Sequence, residues 1–139
     1  MTRQVEALDP RGRLYVVDKL RHLAKAAAGD RTWCCVEQAA EVGERGAVYR
    51  KRHGVVLLFT IEERDGVDPK FCSSYQMAAA EIRVDAVFDP PLTSKVMRGH
   101  SVLKRLPAVR SSFQRRSFRL DTEFTEALED LARSQSPIG

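Results

Sequence analysis

The stretch Val55-Val56-Leu57-Leu58-Phe59-Thr60-Ile61 is the most apolar run in the chain. Seven residues suit a strand better than a helix, and three of them are β-branched aliphatics. The run therefore predicts a central strand. His53-Gly54 before it is a turn signal, and Asp65-Gly66 and Asp68-Pro69 mark the turn after it.

Working outward, Ala47-Val48-Tyr49-Arg50 reads as a second strand, with Gly43 and Gly46 bracketing the loop ahead of it. Thr32-Trp33-Cys34-Cys35-Val36 is also rich in strand formers. These two stretches, 33–36 and 55–61, are the expected core. On the other side, residues 71–77 read as a strand, and Ala78-Ala79-Ala80 is open between helix and strand. Glu81 to Phe88 alternates so that Ile82, Val84 and Phe88 face a core, and Asp89-Pro90-Pro91 is expected to stop it. Asp9-Pro10 opens a helix over about residues 10–28, with Val16, Leu20, Leu23 and Ala27 on one face and Gly29 as terminator. A last helix over about 121–134 carries Phe124, Leu128 and Leu131 on one face.

Short connections favour hairpins, so the expected class is α+β. An N-terminal helix packs on a mostly antiparallel sheet of about four strands, followed by a basic segment and a C-terminal helix. Residues 1–89 form the body, 90–120 the basic segment and 121–139 an acidic helix and tail, all in one domain. At 139 residues the chain can bury a core without a metal or disulfides. Its composition excludes a collagen, a coiled-coil rod and a disordered chain, and no apolar run approaches membrane-spanning length.

Charge is strongly segregated. Basic and acidic side chains cancel over residues 1–89. Residues 90–120 hold Lys95, Arg98, Lys104, Arg105, Arg110, Arg115, Arg116 and Arg119 and no acid. Residues 121–139 are net acidic. Six of the eight cations are Arg, whose fork matches phosphate and carboxylate oxygens. Phe113 and Phe118 could stack on bases. The expectation is a non-enzymatic interaction protein that binds an anionic partner, foremost RNA or DNA, through this segment. Arg50, Lys51 and Arg52 form a second cluster that either protects a hairpin tip or extends the patch.

Three other readings compete. The segment could dock on an acidic protein chain. Val96, Leu103, Leu106, Val109 and Phe113 could be a core stripe whose arginines are merely solvated. The acidic tail could also lie across the cations. Pro107 argues against one unbroken helix in either case. Arg115-Arg116-Ser117, and Lys104-Arg105 ahead of Ser111-Ser112, resemble basophilic-kinase substrates.

Signals for catalysis are thin. A small enzyme would use Cys72 with His53 or His100, but no oxyanion site is evident, and His22 lies beside the apolar stripe of the first helix. Cys34, Cys35, Cys72 and the histidines lack zinc-site spacing, and Glu62-Glu63 with Asp65 and Asp68 reads as a solvated loop. No metal or cofactor is expected. Three cysteines, two of them adjacent, are a poor disulfide framework, which favours a cytoplasmic or other reducing intracellular location. No secretory signal is read at the start. A homodimer is expected if either apolar stretch lies on an exposed sheet face or edge.

Overall fold

In a computed structural model, which describes residues 12–17, 21–64, 72, 77–112 and 117–135, six strands form one mixed sheet. The elements are β1 (Gly12–Val17), α1 (Arg21–Ala24), β2 (Arg31–Glu37), β3 (Arg45–Arg50), β4 (Gly54–Glu63) and β5 (Met77–Leu92). There follow α2 (Ser94–Arg98), a 3₁₀ turn (Leu103–Arg105), α3 (Pro107–Arg110), β6 (Ser117–Leu120) and α4 (Thr122–Gln135). The strand order is β2-β5-β4-β3-β1-β6. β4 is central, as its apolar run requires, and pairs antiparallel with both β3 and β5.

The predicted N-terminal helix on a four-stranded antiparallel sheet is not formed. Residues 12–17 are a strand that runs parallel to β3 and antiparallel to β6, and among the described residues of the predicted span helix is confined to the four of α1. The helical spacing of Val16 and Leu23 is overruled because Gly12-Arg13-Leu14-Tyr15-Val16-Val17 has two faces to bury. Leu14 packs in one apolar cluster and Tyr15 in the other. Leu20 and the Asp9-Pro10 start lie outside the described residues, as do all but Cys72 and Met77 of the strand expected over 71–77. Ala78, Ala79 and Ala80 are strand, and β5 runs through Asp89-Pro90-Pro91 to Leu92, with a cis Asp89–Pro90 bond.

Both faces of the sheet are covered. The inner face gathers Tyr15, Val36, Val48, Phe59, Ile61, Ile82 and Val84, with Leu23 of α1. The outer face packs Leu14, Tyr49, Leu58 and Phe88 against Met97, Leu103, Leu106 and Val109 of the short helices and Phe124 and Leu128 of α4. Residues 55–59 and Ile61 are therefore buried, and no exposed apolar strand face exists there to support the expected homodimer. Trp33 departs from the core expectation. It is half-buried and stacks on His22 at 4.3 Å, while His22 Nε2 approaches the Trp33 carbonyl at 2.9 Å.

The sheet curls until β2 meets the opposite edge. Ser117 Oγ on β6 donates to Glu37 Oε2 on β2 at 2.6 Å, and Arg13 Nη1 on β1 donates to the same hydroxyl at 3.1 Å. The Glu37 N–H donates to the Tyr15 hydroxyl at 3.1 Å. Cys35 is bonded to Cys72 with Cα atoms 5.7 Å apart, which corrects the reading of the cysteines as unpaired and removes its support for a reducing compartment. Among the described residues no helix is long and apolar enough to cross a membrane.

Two measurements check this description. Gly54 has φ 124°, and a Cβ there would lie 2.3 Å from the Leu92 carbonyl oxygen. Gly54→Ala should cost about 2–3 kcal/mol in urea unfolding, by strain and overpacking together. Without reductant, alkylation should label no cysteine in the folded protein and one, Cys34, after denaturation. Cys34 is fully buried, and burial pushes its thiol up to about 12, so it is both inaccessible and protonated at neutral pH.

Candidate nucleic-acid interface

Residues 90–120 are not a separate arm. Thr93 Oγ1 caps α2 by accepting the Val96 N–H at 3.2 Å. His100 Nδ1 accepts the N–H groups of Val102 and Leu103 at 3.1 and 3.2 Å, which starts the 3₁₀ turn. Pro107 opens α3 at the position where proline is tolerated. α2, the 3₁₀ turn and α3 pack on one another. They bury Met97, Leu103, Leu106, Ala108 and Val109 against the sheet, so every cation among them is left on the outer side. The core-stripe reading holds for Leu103, Leu106 and Val109. It fails for Val96, which is exposed, and Phe113 lies outside the described residues.

Lys95, Arg98, Lys104, Arg105, Arg110 and Arg119 are all exposed. Arg105 pairs with Glu123 at 3.2 Å and Arg119 with Asp121 at 3.1 Å, so the acidic helix does reach part of the segment. All four partners are well exposed, and such pairs contribute about 0–1 kcal/mol. Lys95, Arg98, Lys104 and Arg110 make no ion pair with another described residue. Arg115 and Arg116 lie outside the described residues. Phe118 is buried, so it offers no face to a base.

The second cluster is brought to the first. Gly54 abuts Leu92 and the Thr93 backbone, and Val55 pairs with Leu92. The 51–53 turn thus lies at the end of the sheet where α2 begins. Lys51 and Arg52 are exposed there, and Arg50 is half-buried with its Nε unpartnered.

The catalytic candidates have other engagements. Cys72 is in the disulfide, His53 Nδ1 meets the Lys51 carbonyl at 3.0 Å, and His100 supports the 3₁₀ turn. Ser117 of the kinase-like motif is half-buried and bonded to Glu37. Sequence reading missed the role of Arg13, Glu37 and Ser117 altogether, because no spacing links three residues so far apart in the chain.

Tyr15 is almost wholly buried beside Phe59, and desolvation raises the pKa of its phenol. The folded pKa exceeds the unfolded one, so the neutral phenol's contribution is complete below about pH 10 and is lost as pH rises beyond it. Stability measured by urea unfolding should fall above pH 10, and more gently in Tyr15→Phe. That variant should also lose about 1 kcal/mol at pH 7, since the Glu37 N–H is left without its acceptor.

No family model and no curated protein matches the chain. Solved structures do. A protein of Agrobacterium tumefaciens is 16% identical, with 88% of this chain and 92% of that one aligned and a TM-score of 0.61. A hypothetical protein of Leishmania major is 14% identical over 94% and 99%, with a TM-score of 0.59. The Mmi1 YTH domain, solved in complex with RNA, is 8% identical over 91% and 79%, with a TM-score of 0.60. At these identities the likeness is one of fold: this chain is built like a YTH domain that has been solved with RNA bound.

Proposed function

We propose that the protein binds nucleic acid, with RNA as the favoured ligand, through the cations that the short helices hold outside the core. The observation that carries this reading is the set Lys95, Arg98, Lys104 and Arg110, exposed and without a carboxylate partner among the described residues. Lys51 and Arg52 extend it, and Arg105 joins by exchanging Glu123 for a phosphate. Arg115, Arg116 and Arg119 belong to the same basic segment of the sequence and are included in the proposed set. The fold shared with an RNA-bound domain supports the choice of RNA. Phosphate contacts of this kind give affinity with little sequence preference. Neither a cofactor nor a reducing compartment is part of the proposal.

Filter binding to single-stranded RNA across a salt series tests it. If the four unpaired cations and one from the 51–53 turn each neutralise a phosphate, log K falls against log salt with a slope of about −3.5. Replacing Lys95, Arg98, Lys104 and Arg110 by Gln should flatten that to about −0.7. All four are exposed, so the variant should keep the parent's thermal midpoint. Weak, salt-independent binding by the parent would refute the reading. So would stoichiometric co-purification of an acidic protein after nuclease treatment with no RNA affinity.

A further inference from the structure

We infer that Ser112 is the acceptor of a phosphoryl group, placed by a protein kinase whose substrate cleft selects arginine, and that the added phosphate weakens RNA binding at the neighbouring cations. Three serines stand in the kinase-like stretches of the sequence: Ser111, Ser112 and Ser117. The fold separates them. Ser117 is half-buried on β6 and its hydroxyl is committed to Glu37 Oε2 at 2.6 Å. Ser111 is exposed, but its Oγ donates to the Ala108 carbonyl at 3.4 Å. Ser112 is exposed, and its hydroxyl has no hydrogen bond with a described residue. Its backbone lies in the left-handed region at φ 59°, where a non-glycine residue is uncommon and marks a turn or a functional segment. The Ser112 N–H donates to the Val109 carbonyl at 3.3 Å, which ties that turn back to α3.

The phosphoryl donor is a nucleoside triphosphate. The Ser112 oxygen bonds to the γ-phosphorus, the bond from that phosphorus to the β–γ bridging oxygen breaks, and the nucleoside diphosphate leaves with the bonding pair. The hydroxyl proton goes to a carboxylate base of the kinase. Arg110 lies two residues ahead of Ser112, and Lys104 and Arg105 sit on the 3₁₀ turn that packs against α3. Such cations suit a kinase cleft lined with carboxylates.

Once added, the group carries about −1.5 to −2 charges at neutral pH and three acceptor oxygens. Arg110 is exposed and has no carboxylate partner among the described residues, so its fork is available to close on the phosphate. Pairing there withdraws Arg110 from RNA, and the charge left over offsets about one further contact. This consequence rests on the reading that Arg110 and its neighbours hold RNA.

The test treats the full chain with an arginine-directed serine kinase and ATP, locates the phosphate by fragment mass spectrometry, and measures filter binding to single-stranded RNA across a salt series. Phosphate is expected on Ser112 and not on Ser117. It should be lost from Ser112→Asn, whose asparagine tolerates a positive φ. With two contacts removed, the salt slope should fall from about −3.5 to about −2.1, and affinity should drop about 25-fold at roughly 0.1 M salt. Ser112→Asn given the same treatment should bind as the untreated parent does. A Ser112 left unmodified, or a phosphate on Ser112 that changes neither slope nor affinity, overturns the inference while the RNA reading stands. So does a loss of binding that comes with a lowered thermal midpoint, since unfolding and not charge would then be its cause. A parent that binds no RNA sinks the RNA reading itself, and the effect assigned to the phosphate falls with it.

Discussion

Glu37 sits on β2, and the groups that hold it sit on β1 and β6, at the other edge of the sheet. Its carboxylate accepts a hydrogen bond from the Ser117 hydroxyl, and its N–H donates one to the Tyr15 hydroxyl. Much of the architecture depends on that junction. A six-stranded sheet left open would present the edges of β2 and β6 to solvent and its inner apolar face to water. Curled and latched, it encloses Tyr15, Val36, Phe59 and Ile82, each at most 2% exposed. A hydrogen bond to a carboxylate contributes about 1.5–3 kcal/mol, which is a sizeable share of the stability of a chain this small. β1, β6 and the loop after β2 converge at the same junction.

Closing the sheet leaves its outer face to be covered, and the cover determines where the charge goes. α4 supplies Phe124, Ala127, Leu128 and Ala132, and the short helices supply Met97, Leu103, Leu106 and Val109. Each of these elements is only a turn or so long except α4, and none would be stable alone. They are held by apolar contact with the sheet, which commits their inner sides to the core. Cations interleaved with those apolar residues have only the solvent side left to occupy, because burying an unpaired guanidinium or ammonium is prohibitively costly. The exposure of Lys95, Arg98, Lys104 and Arg110 is thus a consequence of packing.

A single backbone position brings the β3–β4 turn against the start of the basic segment. Gly54, at φ 124°, lets the β3–β4 turn lie against the end of β5, where a side chain would collide with the Leu92 carbonyl. Gly46 acts similarly within the sheet, where the Phe59 ring lies 2.2 Å from the place a Cβ would take. Close approach in the absence of a side chain, rather than loop flexibility, is the use made of both residues.

Much of the chain could be read without coordinates. Strands at β2, β3, β4 and the middle of β5 followed from composition and alternation, and α4 from the spacing of Phe124, Leu128 and Leu131. These segments bury a regular set of positions, and periodicity reports burial. Pro107 argued against one unbroken helix over the basic segment, but the sequence left open whether its cations bind a ligand, are merely solvated or lie under the acidic tail. β1 was not legible. A segment buried on both faces loses its strand alternation, and the spacing of Val16, Leu20, Leu23 and Ala27 imitated a helix. The disulfide, the parallel β1–β3 pairing and the Arg13–Ser117–Glu37 latch were likewise beyond reach. Local patterns determine which segments extend or coil, because those depend on neighbours in the chain. Which strands become neighbours across the sheet is settled by long-range packing, and only that brought Glu37 to Ser117, 80 residues away.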